Sequence, residues 1–489
     1  MDQIFAGPVD GLTNDGSAAE SASMGYVGRL KYDYLSKYIL EFSGRYDGND
    51  NFHPDKRWGF FPAVSAVWMI SDENFMQKLN EKNILNSLKL RASYGETGIS
   101  DGVTRFGYMA LYNQGAMKEY YNAGNILNVT FSEGNLVNPL ALTWYTRKSF
   151  NVGFDFASLN NRLEGSLDYF YYKTSGYLMS PNNIYATTLG KPLPEITSDS
   201  KHRRAGFEVN LRYKEKRGDW YYEIGGNVSY YNQLWEQLDS EDMATLKNPY
   251  TRQTHEKDFF YSMYLNDGLF QNKEQILNSP RPLPSTETSM GDIKYIDANG
   301  DGKIDSNDMR RVGQPSMPHL NYGFDFKVDY KGWTLSALFQ GTGDRYIAMG
   351  QQMQRGDYAS VITKFQADYW TPEDTDARFP RVTKSGYANG ENNALVTDFF
   401  NMNARYFRLK NLQISYDLKR DVLKNCKFIQ GCRISLSGSN LFTVSQVLDF
   451  VDPEARMIKP EQIETNARSI SGASYPVYRT YSLGVNVEF

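Results

Sequence analysis

Strict alternation of apolar and polar residues recurs along this chain, and it is clearest in the last segment. From Thr480 onward the apolar members are Tyr481, Leu483, Val485, Val487 and Phe489. The polar members between them are Ser482, Gly484, Asn486 and Glu488. Side chains of a β-strand point alternately to opposite faces, so this segment predicts a strand with one apolar and one polar face.

The same alternation predicts about thirteen strands in the chain, each of roughly ten residues, the length that a tilted strand needs to cross a bilayer. Their approximate bounds are 23–33, 36–46, 57–69, 83–95, 143–156, 161–173, 203–213, 219–231, 319–329, 333–341, 403–418, 431–441 and 477–489. Tyr, Trp or Phe often flanks the apolar set, and the polar set carries Glu, Asp, Arg and Asn. Aromatic girdles and a wet lumen are typical of a transmembrane β-barrel rather than a soluble sandwich.

The connections between the predicted strands alternate in length. Short ones are Tyr34 to Leu35, Ser158 to Asn160, Lys214 to Gly218 and Lys331 to Gly332, with moderate ones at 70–82 and 419–430. Long ones are about 96–142, 174–202, 232–318, 342–402 and 442–476. Outer-membrane barrels have short periplasmic turns and long external loops. Within the moderate connection, Ser71 to Asn83 predicts a short helix capped by Ser71 or Asp72.

Strand number limits how such a sheet can close. Thirteen is an odd number of strands, whereas closed single-chain bacterial barrels have an even number. A sheet left open in lipid would have unpaired backbone groups at its edges, which is costly. We therefore predict an all-β fold in which residues 23–489 form the C-terminal part of a larger antiparallel transmembrane barrel. Residues 1–22 would be the remnant of an extracellular loop, and they lack the pattern of a secretory signal.

Composition agrees with a barrel and disfavours other classes. Aromatic residues make up 15% of the chain, with 36 Tyr, 28 Phe and 7 Trp, which suits two interfacial girdles. No stretch approaches the roughly 18 consecutive apolar residues of a transmembrane helix. The net charge of -4 offers no basic field for nucleic acid.

Several motifs together resemble the SusC/RagA-like TonB-dependent outer-membrane transporters. They are the hairpin from Gly28 to Gly48, the run from Leu88 to Gly98, Gly291 to Tyr295 leading into Asp297 to Asp305, Gly438 to Thr443 with Asp452-Pro453-Glu454, and the terminal Phe489. The resemblance implies a 22-stranded barrel that holds an N-terminal plug, in a bacterial outer membrane. No stretch of this sequence can be assigned to the plug or to a TonB-binding segment.

The sharpest ligand motif runs from Asp297 to Asp308 and is similar to a calcium-binding loop. Its candidate metal ligands are Asp297, Asn299, Asp301, Lys303 through its carbonyl, Asp305 and Asp308. Calcium prefers six to eight hard oxygens, and Gly302 would provide the sharp turn. Two features depart from an EF-hand, since the last position is Asp rather than Glu and no helix clearly flanks the loop. The alternative is an Asp/Asn/Gly turn cluster without metal. A bound calcium would be structural, and no organic cofactor is expected.

Patterns of catalytic chemistry are weak. His53, His202, His255 and His319 are scattered, and no GxSxG or CxxC motif occurs. We therefore do not expect an enzyme. Acid pairs such as Glu241-Asp242 and Glu373-Asp374 fit solvated loops. Cys426 and Cys432 are six positions apart and could form a disulfide or remain free thiols.

The leading functional hypothesis is active import of a bulky nutrient, an oligosaccharide or oligopeptide, across the outer membrane. The resemblance implies a SusD-like lipoprotein at the outer mouth and TonB acting through the missing N-terminal part. The alternative is a passive porin-like channel without TonB. Aromatic loop residues at Tyr120-Tyr121, Phe259 to Tyr261 and Tyr369-Trp370 could contact cargo or pack the loops together, so no cargo residue is assigned.

Overall fold

The described part of the chain consists mainly of one large sheet. The computed structural model describes residues 20–103, 105–109, 112–122, 125–133, 140–179, 196–257, 262–281, 287–313, 315, 317–348, 367–382, 392–447, 451–454 and 477–489. Most of the predicted loop remnant, residues 1–19, lies outside these ranges. No helix in these ranges is long and apolar enough to cross a membrane.

Thirteen antiparallel strands form the sheet, and each strand pairs with its neighbour in chain order. They are β1 (Ser23–Tyr34), β2 (Tyr38–Asn49), β3 (Trp58–Met69), β4 (Leu85–Ile99), β5 (Tyr145–Ser158), β6 (Leu163–Ser175), β7 (Lys201–Arg217), β8 (Trp220–Gln237), β9 (Leu320–Tyr330), β10 (Trp333–Thr342), β11 (Tyr406–Asp417), β12 (Gly431–Ser445) and β13 (Thr480–Glu488). All thirteen predicted strands are confirmed. The longest, β7 and β8, extend four and six residues beyond their predicted C-terminal ends, because their amphipathic pairing continues past the apolar segments.

On one side of the sheet the connections are short turns, except for the moderate connections 70–84 and 418–430. The β9–β10 turn is Lys331 and Gly332, with φ angles of 45° and 87°, as two-residue hairpin turns require. The opposite side carries the eight-residue connection 50–57 and the long connections 100–144, 176–200, 238–319, 343–405 and 446–479. All five predicted long loops therefore lie on one side of the sheet, and we call this side the outer end.

The connection between β3 and β4 differs from its prediction. A single helix with a Ser71 or Asp72 cap is wrong, because the segment forms the 3-10 turns Ile70–Asp72 and Asn74–Met76 before a short α-helix, Gln77–Glu81. Glu73 interrupts the helix in extended conformation. Its carboxylate accepts hydrogen bonds from the Tyr38 hydroxyl at 2.5 Å and the Trp68 indole at 3.1 Å, so contacts to the sheet outweigh the local helical pattern.

The outward face of the sheet is apolar and solvent-accessible. Leu483 on β13 is 75% exposed and Leu30 on β1 is 71% exposed, which suits contact with lipid. Aromatic pairs lie towards both ends of this face, such as Tyr46–Trp58 near the outer end and Trp220–Tyr330 near the short turns. These two levels are the aromatic girdles that the composition predicts.

The external connections contain ordered structure that the alternation does not predict. The paired strands are Tyr112–Asn122 with Asn125–Glu133, Leu178–Met179 with Ile196–Thr197, Ser262–Met263 with Arg310–Arg311, Asn266–Leu269 with Ile293–Tyr295, and Tyr346–Ala348 with Asn401–Asn403. The helices are Met243–Lys247 and Lys273–Leu277, and the 3-10 turns are Pro54–Lys56, Ser306–Asp308, Asn392–Ala394 and Asp398–Phe400. These elements are too short for a periodic pattern to be read from sequence.

Three external connections share one hydrophobic core, and we call this unit the external lobe. It comprises the described parts of 262–313, 343–405 and 446–454. Its buried core residues are Tyr264, Leu269, Ile293, Tyr295, Ile304, Ile347, Trp370, Phe379, Phe400, Met402, Ala404 and Val451. The loops after β8, β10 and β12 are therefore packed together as a folded unit.

Both edges of the sheet remain unpaired among the described strands. β1 hydrogen-bonds only to β2, and β13 only to β12.

Cys426 and Cys432 are free thiols. Of the two alternatives that the sequence leaves open, a disulfide and free thiols, the structure has the free thiols.

Candidate functional site

The Gly291 to Tyr295 motif forms the centre of the external lobe. Gly291 has a φ of +83°, and a Cβ atom there would lie 2.4 Å from Trp370 Cε3. Both observations require glycine. Ile293 is fully buried, and the Tyr295 hydroxyl donates a 2.6 Å hydrogen bond to the Asn392 carbonyl. The motif therefore joins the loop after β8 to the loop after β10.

Asp292 within this motif forms a buried ion pair. Arg381 donates from Nε to Asp292 Oδ1 at 2.6 Å and from Nη2 to Oδ2 at 3.0 Å. The Asn393 amide and the Ser289 backbone N–H also donate to the carboxylate, at 2.8 and 2.7 Å. Burial raises the pKa of Asp292, and the Arg381 guanidinium opposes this rise. The pair satisfies a charge that the lobe would otherwise bury alone.

The predicted calcium loop lies at the surface of the lobe. Asp297 accepts backbone N–H groups of Gly300 at 2.7 Å and Gly302 at 2.8 Å, and these bonds hold the pKa of its carboxyl below the ordinary value. Asp308 is buried and accepts the backbone N–H groups of Ala298 and Asp305. The loop thus takes a compact turn in which backbone donors occupy these two carboxylates.

The remaining candidate ligands lie along the same turn. Asn299 Oδ1 accepts the Asp301 backbone N–H at 2.9 Å, and the Lys303 ammonium bonds the Asp305 carboxylate. Within the described ranges, no group of three or more His, Cys, Asp or Glu side chains is placed to hold a metal. Calcium binding here stays a prediction, and it would require Asp297, Asp301 and Asp308 to turn towards one ion.

A second buried charge cluster joins the loop after β12 to the wall. Arg408 on β11 is 2% exposed, and its Nη1 and Nη2 donate to Glu454 Oε2 at 2.6 Å and Asp452 Oδ2 at 2.9 Å. Tyr406 and Lys410 donate to the same Glu454 carboxylate at 2.7 and 2.8 Å. The Asp452-Pro453-Glu454 motif thus supplies the two carboxylates that bind Arg408 on β11.

Asn440, in the Gly438 to Thr443 motif, lies at a bulge. The register between β11 and β12 shifts between Leu409 and Asn411, and Asn440 has a φ of 53°. Asn tolerates this left-handed conformation better than most residues. Its side-chain amide donates to the Tyr478 carbonyl at 3.2 Å, which ties β12 to the start of β13.

The polar face of the sheet divides into two levels, of which the lower one is rich in ion pairs. Arg91 on β4 donates to Asp155 at 2.9 Å and to Asp168 at 2.8 Å, on the next two strands. Lys214 pairs with Glu164 at 2.5 Å. Charges of opposite sign thus pair across neighbouring strands. Asp155 and Glu164 line a cleft of about 480 Å³ that also reaches Arg212 and Asp325.

The upper level, nearer the outer end, combines arginine with aromatic side chains. We call this set the arginine–aromatic patch, and its members are Tyr145, Arg147, Tyr177, His202, Arg204 and Trp235. The Tyr177 ring lies 5.7 Å from Tyr145 and 4.9 Å from Trp235, and Trp235 lies 5.0 Å from His202.

Strand register places the patch on the polar face. Arg147 lies opposite Thr174 on β6, which lies opposite His202 on β7, and His202 lies opposite Trp235 on β8. Directly paired residues share a face. On the same strands, the opposite face carries exposed apolar residues such as Phe150 and Phe207.

Comparison with known proteins identifies the family. The model of the family described as TonB dependent receptor-like, beta-barrel, matches residues 3–441. The chain belongs to this family. TonB-dependent receptors are outer-membrane β-barrel proteins, so the receptor chain lies in a bacterial outer membrane.

Two curated relatives illustrate the similarity of this receptor chain. TonB-dependent receptor P26 of Formosa agariphila is 29% identical over 501 residues, covering 98% of this chain and 47% of the relative. TonB-dependent receptor SusC of Bacteroides thetaiotaomicron is 25% identical over 476 residues, covering 96% and 44%. The chain spans about half the length of the curated relatives it matches.

A solved structure shows the same fold. The RagAB peptide importer in its open-open state superposes with a TM-score of 0.70 at 21% identity, covering 96% of this chain and 47% of the other. The fold class and the family resemblance are therefore confirmed for the receptor chain.

The aromatic residues predicted as possible cargo contacts of this receptor lie in the external loops, and the patch on the strands was not predicted. Trp370 is 6% exposed in the lobe core, which favours the loop-packing alternative for that residue. The Tyr120-Tyr121 side chains and Phe259 to Tyr261 lie outside the described residues. Glu241 accepts hydrogen bonds from the Thr254 N–H and hydroxyl, so it positions a loop. A signal was available for Arg147 and Arg204, which occupy polar-face positions of predicted strands, whereas Trp235 fell in the predicted 232–318 loop.

Proposed function

We propose that this receptor chain forms part of the wall and the outer docking surface of an active importer. The cargo is a bulky nutrient, an oligosaccharide or oligopeptide, that crosses the outer membrane. One observation carries the proposal: a thirteen-stranded wall with a polar face bears, at its outer end, a lobe in which three loops share one core. A wall of this kind can hold a large polar cargo, and an ordered lobe can hold a partner.

The partners follow from the family. A SusD-like lipoprotein would dock on the external lobe, and TonB would drive the import. The RagAB peptide importer, whose fold the chain shares, imports peptides, which supports an oligopeptide as one candidate cargo. The proposal includes no catalytic step.

Cargo uptake in living cells tests the proposal against the porin-like alternative. The full-length receptor is expressed in cells with and without TonB, and uptake of labelled oligosaccharide and peptide pools is measured. Active import predicts uptake that stops when TonB is deleted or the proton gradient is collapsed by a protonophore. Uptake that continues unchanged in both conditions would support the passive channel instead.

A further inference from the structure

The arginine–aromatic patch differs from the ion-paired level below it in its charge balance. Among the described residues, no ion pair joins Arg147 or Arg204 to a carboxylate. Arg204 Nε and Nη2 donate instead to the neutral Gln233 amide oxygen at 3.2 and 2.8 Å, and its guanidinium lies 4.7 Å from the Tyr231 ring centroid. Arg147 Nε contacts the Thr174 hydroxyl at 3.4 Å. The patch therefore has an excess of positive charge.

These contacts also orient the two guanidinium groups. Arg147 is held through its Nε atom and Arg204 through Nε and Nη2, which leaves both terminal amino groups of Arg147 and Nη1 of Arg204 without a hydrogen bond among the described residues. Arg147 is also exposed. Planar arginine forks suit bidentate binding of a carboxylate. Asp101 lies near Tyr145 at the rim, so one nearby acid partly offsets the two arginines.

The Tyr177 ring contacts Tyr145 and Trp235, and both arginines lie close enough for their charges to act on its hydroxyl. Burial raises the pKa of its hydroxyl, while a Thr174 hydrogen bond and the positive charges of Arg147 and Arg204 oppose that rise. Both guanidinium groups thus act on one aromatic side chain. An aromatic ring near two arginines can pack against the apolar face of a sugar ring while the arginines bind its charged substituents.

We propose that this patch is a lumenal cargo subsite for an acidic oligosaccharide, one whose sugar rings carry carboxylates. The inference rests on the proposed import function and specifies its cargo. The patch residues on β5, β7 and β8 lie on strands that are paired on both sides. They therefore offer side chains and no free strand edge, whereas extended peptides commonly bind by adding a strand to such an edge.

Binding to the full-length receptor tests this subsite. Isothermal titration calorimetry compares tetragalacturonate with its neutral methyl ester, for the unchanged receptor and the R147Q/R204Q variant. We expect the acid to bind at least about tenfold more tightly than the ester, as one or two charge-assisted hydrogen bonds provide. The double variant should lose that difference and keep the affinity for the ester. R203Q, which changes the neighbouring arginine on the opposite face of β7, is the matched control and should keep the difference in affinity between acid and ester.

Several results would overturn the subsite. They are equal binding of acid and ester, no binding of tetragalacturonate, an equal loss in R203Q, or tighter binding of a tetraglutamate peptide than of tetragalacturonate. Thermal unfolding of each variant checks that the barrel is intact. TonB-dependent uptake of a neutral oligosaccharide or a peptide, with none of the acid, would leave the proposed import standing and refute this inference alone.

Discussion

Arg381 and Asp292 lie 89 residues apart in the chain and form a bidentate ion pair within the external lobe. The Asp292 carboxylate is fully buried, with 0% exposure, while the arginine remains partly exposed. Because the two residues come from different loops, the pair links the loop after β8 to the loop after β10. The order of the outer surface should therefore depend on this contact.

Replacing Arg381 with Gln should loosen the lobe. The change leaves the buried Asp292 charge without its partner, and the loss of one member of a buried pair costs about 3–5 kcal/mol. Hydrogen exchange should accelerate in 289–296 and 392–395, while β7 and β8 keep their protection. R378Q, at an exposed position in the same loop, is the matched control. Unchanged exchange in R381Q would contradict the assigned role.

The loosening of the external lobe in R381Q should depend on pH in a defined direction. Burial already raises the pKa of Asp292 in the folded lobe, and removal of Arg381 should raise it further. A carboxyl with a raised folded pKa favours folding below its unfolded pKa, and this contribution is lost as pH rises through the folded pKa. The R381Q defect should thus shrink in acid, and D292N should rescue it at neutral pH. A defect that grows in acid would argue against the assigned role of the Asp292–Arg381 ion pair.

Glu454 should hold the loop after β12 against the wall. Burial raises the pKa of this carboxyl, but hydrogen bonds from Lys410 and Tyr406 and the charge of Arg408 outweigh burial and lower it overall. Such a group stabilises above its unfolded pKa, and the contribution is lost as pH falls through the folded pKa. The contact should thus weaken only as pH falls below the ordinary pKa of a glutamate carboxyl.

Substitution of Glu454 gives the corresponding prediction. E454Q should destabilise the loop contact by roughly 1.5–3 kcal/mol, the range for hydrogen bonds to charged groups. Hydrogen exchange of 451–454 and of the outer end of β11 measures it. E373Q, an exposed acid in the loop after β10, should have no effect. Equal exchange in both variants would refute the assignment.

The Asp297 to Asp308 loop should bind calcium if its carboxylates turn towards a common ion. A structure determined in calcium should then show the metal within about 2.3–2.6 Å of side-chain oxygens of Asp297, Asn299 and Asp301. D297N/D301N should abolish terbium luminescence at the loop, and D376N, an exposed acid elsewhere in the lobe, should not. A loop without metal density in calcium-containing buffer would contradict the prediction.

The barrel strands could be predicted because their signal is local. Alternation such as that of Tyr481 to Phe489 depends only on neighbouring residues, and tertiary contacts do not alter it. The β3–β4 helix was wrong because Glu73 contacts Tyr38, 35 residues away. Long-range partners of this kind leave no periodic trace in one sequence.

The candidate sites also combine local motifs, which can be identified from sequence, with distant partners, which cannot. The Gly291 to Tyr295 and Asp452 to Glu454 motifs could be identified from sequence, but their partners Arg381 and Arg408 could not, since the lobe assembles across three loops. The arginine–aromatic patch depends on the register of four strands, which sets Arg147 opposite Thr174 and His202 opposite Trp235. Alternation predicts the face of each residue but not which residues lie side by side.

We propose that this sheet is one section of the wall of a larger plugged barrel. The proposal is tested most directly by cryo-electron microscopy of the full-length receptor in lipid nanodiscs. We predict that the free edges of β1 and β13 each pair with a strand from outside residues 20–489, and that a plug fills the lumen. Direct hydrogen bonding between β1 and β13, in a closed thirteen-stranded barrel, would contradict the account.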